Sequence, residues 1–425
     1  MLDPKFIREN PDLIKKVLLQ RLMELDVDRL LALDRERRNL LQETETLKHR
    51  RNAVSDEIGT LKRSGQDVSG KMREMKTVAE KIRLLDGMAR KISDDLEALL
   101  LRVPNIPHAS VPVGPDTRSQ ALIREGGAKR EFDFTPRTHW EIADSLGMID
   151  FTRAAKIAGS HFALFTGRGA LLERALINFM LDLHTKEHGY REISPPFLAN
   201  RASMLGTGQL PLLEEDMYRL ELDDFFLIPT AEVSVTNIHR DEVLKKTELP
   251  LKYVAYTPCF RREAGSYGKE TRGLIRIHQF DKVELVKFVE PETSWAEHEA
   301  LLADAESVIR ILGLPYRILS LPTGELSFAS AKCYDIEVWA PGQKQWLEVS
   351  SCSNFEAFQA RRANIRFSDG KEAPRFLHTL NASGVALPRT VVGILENYQQ
   401  ADGSVAVPEV LRPYMGGVSS IGLES

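Results

Sequence analysis

The stretch FRREAGSYGKETRGLIRIHQFDKVE, running from Phe260 to Glu284, decides the fold class. Two arginines and a glutamate lead into a polar turn containing glycine, and the return run alternates apolar and polar residues, which is the period-two signature of a strand hairpin. On that reading Arg261 and Glu263 share one face, as do Arg276, His278, Phe280, Lys282 and Glu284 on the returning strand. Charge this dense on one face is costly to bury unless the groups are paired or a ligand satisfies them. Two readings stand at this point. One is a solvent-facing ladder of cross-strand salt bridges; the other is a nucleotide site in which arginines on strands clamp phosphate oxygens and an aromatic ring carries the base. The familiar phosphate loops do not fit. Glu270 stands where a Walker loop needs Ser or Thr, Glu263 stands where its first glycine belongs, and TGRGALLE from Thr166 lacks the third glycine of a dinucleotide fingerprint.

Outward from the hairpin, further short runs read as strands: FFLIPTAEVSVT, YVAYTPCF, CYDIEVWA and QWLEVSSCS. Helical patterns appear at ALLERALINFMLDLHTKEHG, TSWAEHEALLADAESVIRILG and RTVVGILENYQQ. Consecutive strands joined by turns, with helices elsewhere, predict an α+β domain on an antiparallel sheet flanked by helices rather than alternating βα units. The N-terminal part has a different texture. From Val27 to Arg63 there is no proline, and Leu30, Leu33, Leu40, Leu41, Leu47, Val54, Ile58 and Leu61 recur every three or four residues. After a turn at RSGQDVSG the stripe resumes at Met72, Met75, Val78, Ile82, Leu85, Met88, Ile92, Leu96 and Leu99, and Pro104 and Pro107 close it. Two such helices pair antiparallel and project roughly 45 to 55 Å at 1.5 Å per residue. Arg35, Arg37, Arg38, Lys48, Arg50, Arg51, Lys62 and Arg63 on their surface are interleaved with acids, so dimerisation and RNA binding both remain open for this hairpin. Three regions result: the helical hairpin in 1–103 (coiled coil about 27–101), a proline- and glycine-rich linker or meandering entry in 104–136, and the α+β domain in 137–425.

The chain has 425 residues and a formal net charge of −4, so a polyanionic partner must be held by local basic patches. Cys259, Cys333 and Cys352 are too far apart for a paired metal motif and read as reduced, buried thiols. The N-terminus lacks the pattern of a secretory leader, and no window reaches the ~18 apolar residues of a membrane span. A cytoplasmic protein with no membrane and no DNA partner is expected.

Two distant passages favour the nucleotide site. LNASGVALPRTVVGILENYQQADGSVAVPEVLRPYMGG (Leu380 to Gly417) runs a small-residue strand into Arg389 at a helix entry, and HGYREISPPF (His188 to Phe197) runs a strand into two prolines. With FRREAG they resemble, in order and spacing, the three motifs of class II aminoacyl-tRNA synthetases, near 188–197, 258–284 and 380–400. GTGQLP at Gly206, IPTAEV at Ile228, KVEL around Glu284, EVSSCSNFEAFQARR from Glu348 and the helical hairpin extend the likeness over the full length, and the chain is similar to the bacterial seryl-tRNA synthetases.

The resemblance implies serine activation with ATP and Mg²⁺, transfer to tRNA(Ser) and tRNA(Sec), and a homodimer with Pro196 at its interface. It implies Arg261, Glu263 and Arg389 as catalytic residues, with Arg261 bridging the α-phosphate and the substrate carboxylate. ATP contacts carry over to Arg261, Arg262, Glu263, Phe280 as adenine platform, Glu348, Val349, Ser350, Ser351, and Arg389 at the γ-phosphate. Serine contacts carry over to Thr230, Ala231, Glu232, Arg261, Glu284 and Ser383, and Mg²⁺ contacts to Glu348 and Ser351. The helical hairpin then becomes an arm that meets the long variable arm of tRNA bound to the partner's site. Arg262, Ala382, Val385, Leu387 and Pro388 depart from the commonest family pattern and leave these charged residues in place.

Overall fold

In a computed structural model the protein is described for residues 1–264 and 272–422. The turn expected within GSYGKET lies outside the described residues, as does the end of the C-terminal tail. The chain divides into two compact units, Leu2–Pro104 and the remainder from Asn105 onward.

In the first unit, two short helices, α1 (Pro4–Glu9) and α2 (Pro11–Gln20), precede the long α3 (Val27–Arg63) and α4 (Ser69–Leu100). Asp26 caps α3 by accepting the Arg29 N–H, and Lys62 and Arg63 place positive charge at its C-terminal end. In α4 the buried positions Met75, Val78, Ile82, Leu85, Ala89, Ile92 and Leu96 alternate spacings of three and four, which is the heptad repeat of a coiled-coil seam. The seam is narrower than the sequence stripe: Leu41, Met72 and Met88 are exposed. Of the basic residues on this hairpin, Lys48 pairs with Asp86 and Arg50 with Glu74 across the two helices, while Arg37 donates to Ser93. Exposed pairs of this kind contribute ~0–1 kcal/mol each, so the apolar seam holds the hairpin together.

The second unit is built on one large sheet. Its strands in chain order are β1 (Ala121–Gly126), β2 (Arg191–Glu192), β3 (Leu251–Phe260), β4 (Gln279–Val289), β5 (Tyr316–Ser320), β6 (Lys332–Ala340), β7 (Gln345–Asn354) and β8 (His378–Ala386). The spatial order is β1-β5-β6-β7-β8-β4-β3-β2, antiparallel throughout except for the parallel pair β2 and β3. The segment 104–136, read as a linker or entry, thus supplies an edge strand of the sheet. One face carries Val283, Leu285, Val338, Val349 and Val385 and packs under the helices α6 (Gly167–Lys186), α8 (Ser294–Ile311) and α10 (Leu387–Tyr398) to form the main core. All three cysteines are buried and unpaired.

Two expectations need correction. The run AEVSVT reads as strand from its β-branched residues but forms a short helix, α7 (Ala231–Thr236), begun by Thr230, whose hydroxyl accepts the Glu232 N–H. The returning strand of the hairpin starts only at Gln279, so Arg276 and His278 do not lie on it. Within 273–278, the His278 carbonyl still accepts the Arg261 N–H at 2.8 Å just past the ladder, while other contacts lie outside the sheet: Leu274 N–H on His139 Nε2 at 3.0 Å, and His278 N–H on the His161 carbonyl at 2.8 Å. Arg261 also lies past the strand end, and Glu263 has a left-handed φ of 53°, an unusual conformation for a residue with a side chain.

Candidate active site

The face of the sheet opposite the main core forms the floor of a cavity of about 580 Å³. Period-two alternation along β4 presents Phe280, Lys282 and Glu284 on this face, and β8 adds Asn381 and Ser383. Two β-bulges shape the floor. The β6–β7 register skips Val349, and the β8–β4 register skips Gly384. The first places Glu348 and Ser351 on the cavity although they are three residues apart, a spacing that puts side chains on opposite faces of a regular strand.

At one end of the cavity the ionisable groups are buried and tightly paired. The Lys282 ammonium, 6% exposed, forms an ion pair with Glu284 and donates to Thr230 Oγ1 at 2.8 Å. Asn381 Nδ2 donates to the other Glu284 oxygen at 2.9 Å, and the Thr230 hydroxyl donates to the first at 3.3 Å. Burial pushes the Glu284 carboxyl up, opposed chiefly by Lys282. Glu232 accepts from Gln359 Nε2 at 2.5 Å, and Gln359, on the short helix α9 (Phe358–Arg362), is itself oriented by the Thr379 hydroxyl at 2.7 Å. Burial, and secondarily the charge of Glu284, push Glu232 up to about 7. Two carboxylates, one ammonium and one hydroxyl thus converge in a dry corner suited to a small ligand with a cation and a hydroxyl.

The wider end is lined by fixed cations. Arg261 lies over the Phe280 ring at 5.2 Å and donates to the Pro229 carbonyl. Arg276 pairs with Glu263 at 2.5 Å. Arg389, at the first turn of α10, donates to the carbonyls of Ile275 at 3.2 Å and Glu348 at 2.8 Å, with the Glu348 carboxylate at 3.3 Å. A planar anion with several oxygens fits such an arrangement of guanidinium groups. The Ser351 hydroxyl donates its proton to Asp335, a buried carboxyl held well above the usual range by desolvation and by Glu348. Lone pairs of Ser351 and the carboxylate of Glu348 therefore remain on the cavity side, a hard oxygen donor set that fits Mg²⁺.

Most residues singled out in the sequence meet here: Thr230, Glu232, Arg261, Glu263, Phe280, Glu348, Val349, Ser351, Ser383 and Arg389 line the cavity. The others do not line it. Ala231 is buried in a neighbouring apolar cluster, and the exposed Arg262 contributes its N–H to the Asp216 carbonyl. Ser350 donates to the Ser383 carbonyl from beneath the floor, and Glu284 lies behind Lys282 and Thr230.

The sequence matches the family description "Seryl-tRNA synthetase N-terminal domain" over residues 1–107 and "tRNA synthetase class II core domain (G, H, P, S and T)" over 217–398. It is 54% identical to a serine–tRNA ligase of Desulforapulum autotrophicum over 99% of both chains, and 56% identical to one of Geobacter sulfurreducens over 99% of this chain and 100% of that one. The chain belongs to the seryl-tRNA synthetase family. Among solved seryl-tRNA synthetases, that of Pyrococcus horikoshii complexed with ATP superposes with a TM-score of 0.93 at 38% identity over the whole of both chains. The cytoplasmic serine–tRNA ligase of Naegleria fowleri in complex with AMP gives 0.88 at 28% identity, covering 100% of this chain and 99% of that one.

Within this seryl-tRNA synthetase fold, sequence reasoning left Lys282, Asn381, Gln359 and Asp335 out of the site. The first two carried a signal, since Lys282 lies two residues from both Phe280 and Glu284, and Asn381 two residues from Ser383. Gln359 carried none, because it joins the site through Glu232 and Thr379 on other elements, and Asp335 joins it only through the register that sets it opposite Ser351 in the β6–β7 hairpin.

Proposed function

We propose that the protein activates L-serine with ATP to seryl-adenylate and then transfers serine to the 3′ end of tRNA(Ser), and of tRNA(Sec), releasing AMP and pyrophosphate. The observation that carries this reading is a single cavity with a dry carboxylate–ammonium–hydroxyl corner at one end and Arg261, Arg276 and Arg389 at the other. In the first step a carboxylate oxygen of serine bonds to the α-phosphorus as the bond to the departing pyrophosphate breaks. No proton moves, so positioning and electrostatics supply the catalysis. Arg261 neutralises charge on the α-phosphate and the serine carboxylate, Phe280 stacks on adenine, and Arg389 takes the γ-phosphate. Glu348 and Ser351 would hold Mg²⁺, which when bound offsets phosphate charge. Glu232 and Thr230 face the α-ammonium and hydroxyl of serine, and Glu284, behind Lys282 and Thr230, orients both of those side chains. A site that hydrogen-bonds a hydroxyl rejects an analogue lacking it by roughly 10⁴-fold or more, which removes alanine. In the second step the terminal ribose hydroxyl of tRNA bonds to the seryl carbonyl carbon, the bond from that carbon to the phosphate oxygen breaks, the hydroxyl proton passes to the departing phosphate, and AMP leaves.

In the same reading the α3–α4 hairpin meets tRNA through its unpaired basic residues, reading shape and phosphates. The working species is a cytoplasmic homodimer. Exposed Pro196, Phe197 and Leu198 suit its interface. Among the described residues no helix is long and apolar enough to cross a membrane. ATP–pyrophosphate exchange across the twenty amino acids tests the reading: serine alone should support exchange, and a response to another amino acid in its place overturns it.

A further inference from the structure

His139 is wholly buried at the first position of helix α5 (His139–Ser145), outside the cavity lining, yet it touches the cavity wall from behind. Its Nε2 lies 3.0 Å from the Leu274 N–H, which can only donate, so Nε2 carries no proton and the ring is the neutral tautomer protonated on Nδ1. That proton faces Glu396 Oε1 at 3.1 Å. Glu396 is fully buried, and it also accepts from the backbone N–H of His139 at 2.9 Å, from Gly342 at 2.8 Å and from the Gln343 side chain at 3.0 Å. The carboxylate is therefore fixed, and it fixes the ring.

The other end of the chain of bonds reaches the nucleotide end of the cavity. Leu274, Ile275, Arg276 and Ile277 are four consecutive lining residues that precede β4 and belong to no strand among the described residues. The Ile275 carbonyl accepts from Arg389, and Arg276 pairs with Glu263. Arg389 and Glu396 are both on α10 and seven residues apart, two helical turns, so they leave the same side of the helix. One helix thus holds the wall twice, directly through Arg389 and indirectly through Glu396 and His139. Gly273 (φ 74°) permits the close approach, since a Cβ there would lie 2.1 Å from His139 Nε2.

We infer that His139 is a positioning residue for the ATP-binding wall: by accepting the Leu274 N–H it sets the placement of Leu274–Ile277 and so the affinity for ATP, with no direct contact to substrate. This rests on the proposed serine and ATP activity. Two substitutions separate positioning from mere support of the fold. His139→Gln keeps an acceptor near the place of Nε2 for Leu274 and withdraws the proton from Glu396; His139→Asn keeps a donor near the place of Nδ1 for Glu396 and withdraws the acceptor. In ATP–pyrophosphate exchange by the full-length protein, His139→Asn should raise KM for ATP about tenfold, the scale of one lost buried hydrogen bond, with KM for serine within twofold. His139→Gln should keep KM for ATP within threefold of the parent while its thermal midpoint falls. Gly273→Ala, which leaves Glu396 untouched, should raise KM for ATP as His139→Asn does. Equal KM for ATP in the two histidine variants, or an unchanged KM in Gly273→Ala, overturns the inference. Absence of serine-dependent exchange in the unsubstituted protein overturns the activity instead.

Discussion

Lys282→Met removes one ammonium from the driest corner of the cavity and keeps the aliphatic stem. The lost group donates to Thr230 and pairs with Glu284, and its side chain is only 6% exposed. Removing one partner of a buried pair costs about 3–5 kcal/mol, because the other charge is left uncompensated. Glu284 can relieve part of this by taking up a proton, since burial already pushes its carboxyl up and Lys282 is the largest influence holding it down. In the substituted enzyme Glu284 should therefore ionise at higher pH than in the parent. If about 3 kcal/mol of that appears in the transition state for adenylation, kcat/KM for serine falls by roughly 10²-fold, while KM for ATP, set at the other end of the cavity, stays within threefold. The pH dependence is the sharper signature. In the parent enzyme kcat/KM for serine should climb to a plateau just above pH 7, where Glu232 ionises. In Lys282→Met the climb should extend to higher pH than in the parent, because Glu284 must also ionise. Stability moves the opposite way: a carboxyl whose folded-state pKa is raised favours the folded state at low pH and loses that contribution as pH rises through the folded value. The thermal midpoint of Lys282→Met should thus fall further below that of the parent at pH 8 than at pH 6. Exchange kinetics within threefold of the parent, or a loss with no change in pH profile, would refute the role of Lys282 in holding Glu284 ionised.

Other outcomes follow from the same geometry. Glu232→Gln should lower serine-dependent exchange by at least 10²-fold, and, since Glu232 is pushed up to about 7, should flatten the decline of the thermal midpoint expected of the parent protein as pH rises toward 7. Arg389→Ala should lower kcat/KM for ATP by about 10²-fold or more through loss of a charged ligand, with KM for serine little changed, as read by the same exchange assay. Deleting residues 30–100 should leave seryl-adenylate formation largely intact and remove aminoacylation of tRNA; equal survival of both activities in a charging assay would make the hairpin structural. Ile82→Ala in the α4 seam should destabilise the hairpin by about 2–4 kcal/mol, measured by urea unfolding of the full chain followed by helical circular dichroism.

The long helices were legible because their signal is local: the heptad stripe of α4 and the unbroken stretch from Val27 to Arg63 need no tertiary partner to be read. The antiparallel sheet was legible from period-two runs in the same way. What failed is where the tertiary structure overrules local preference. Val233, Val235 and Thr236 favour strand, yet the Thr230 cap, burial of Ala231 and Val235 against β3 and β4, and burial of Val233 in a second cluster with Met204 and Phe226 make a helix of them. The run LIRIHQ alternates as a strand does, yet His139, Arg389 and His161 capture Leu274, Ile275 and His278 and turn the run into the cavity wall. For the site, the arginines and carboxylates could be named from the resemblance, but the face each one takes could not. Glu348 and Ser351 meet on the cavity only through a bulge that no spacing rule announces, and Lys282 turned out to stand between Glu284 and the cavity.

The extra residues Val349 and Gly384 have a consequence for how this fold tolerates changes in length. Elsewhere in β7 and β8, losing a single residue would turn everything beyond it inside out, sending polar side chains into the core and valines into the cavity. At Val349 and Gly384 the strand already carries one residue more than its neighbour, so excising it would restore a regular ladder with every other side chain on its present face. The sheet can be shortened at these two points without being inverted. They are therefore where this chain should accept loss of one residue through the middle of the active-site floor and keep the order of its chemical groups.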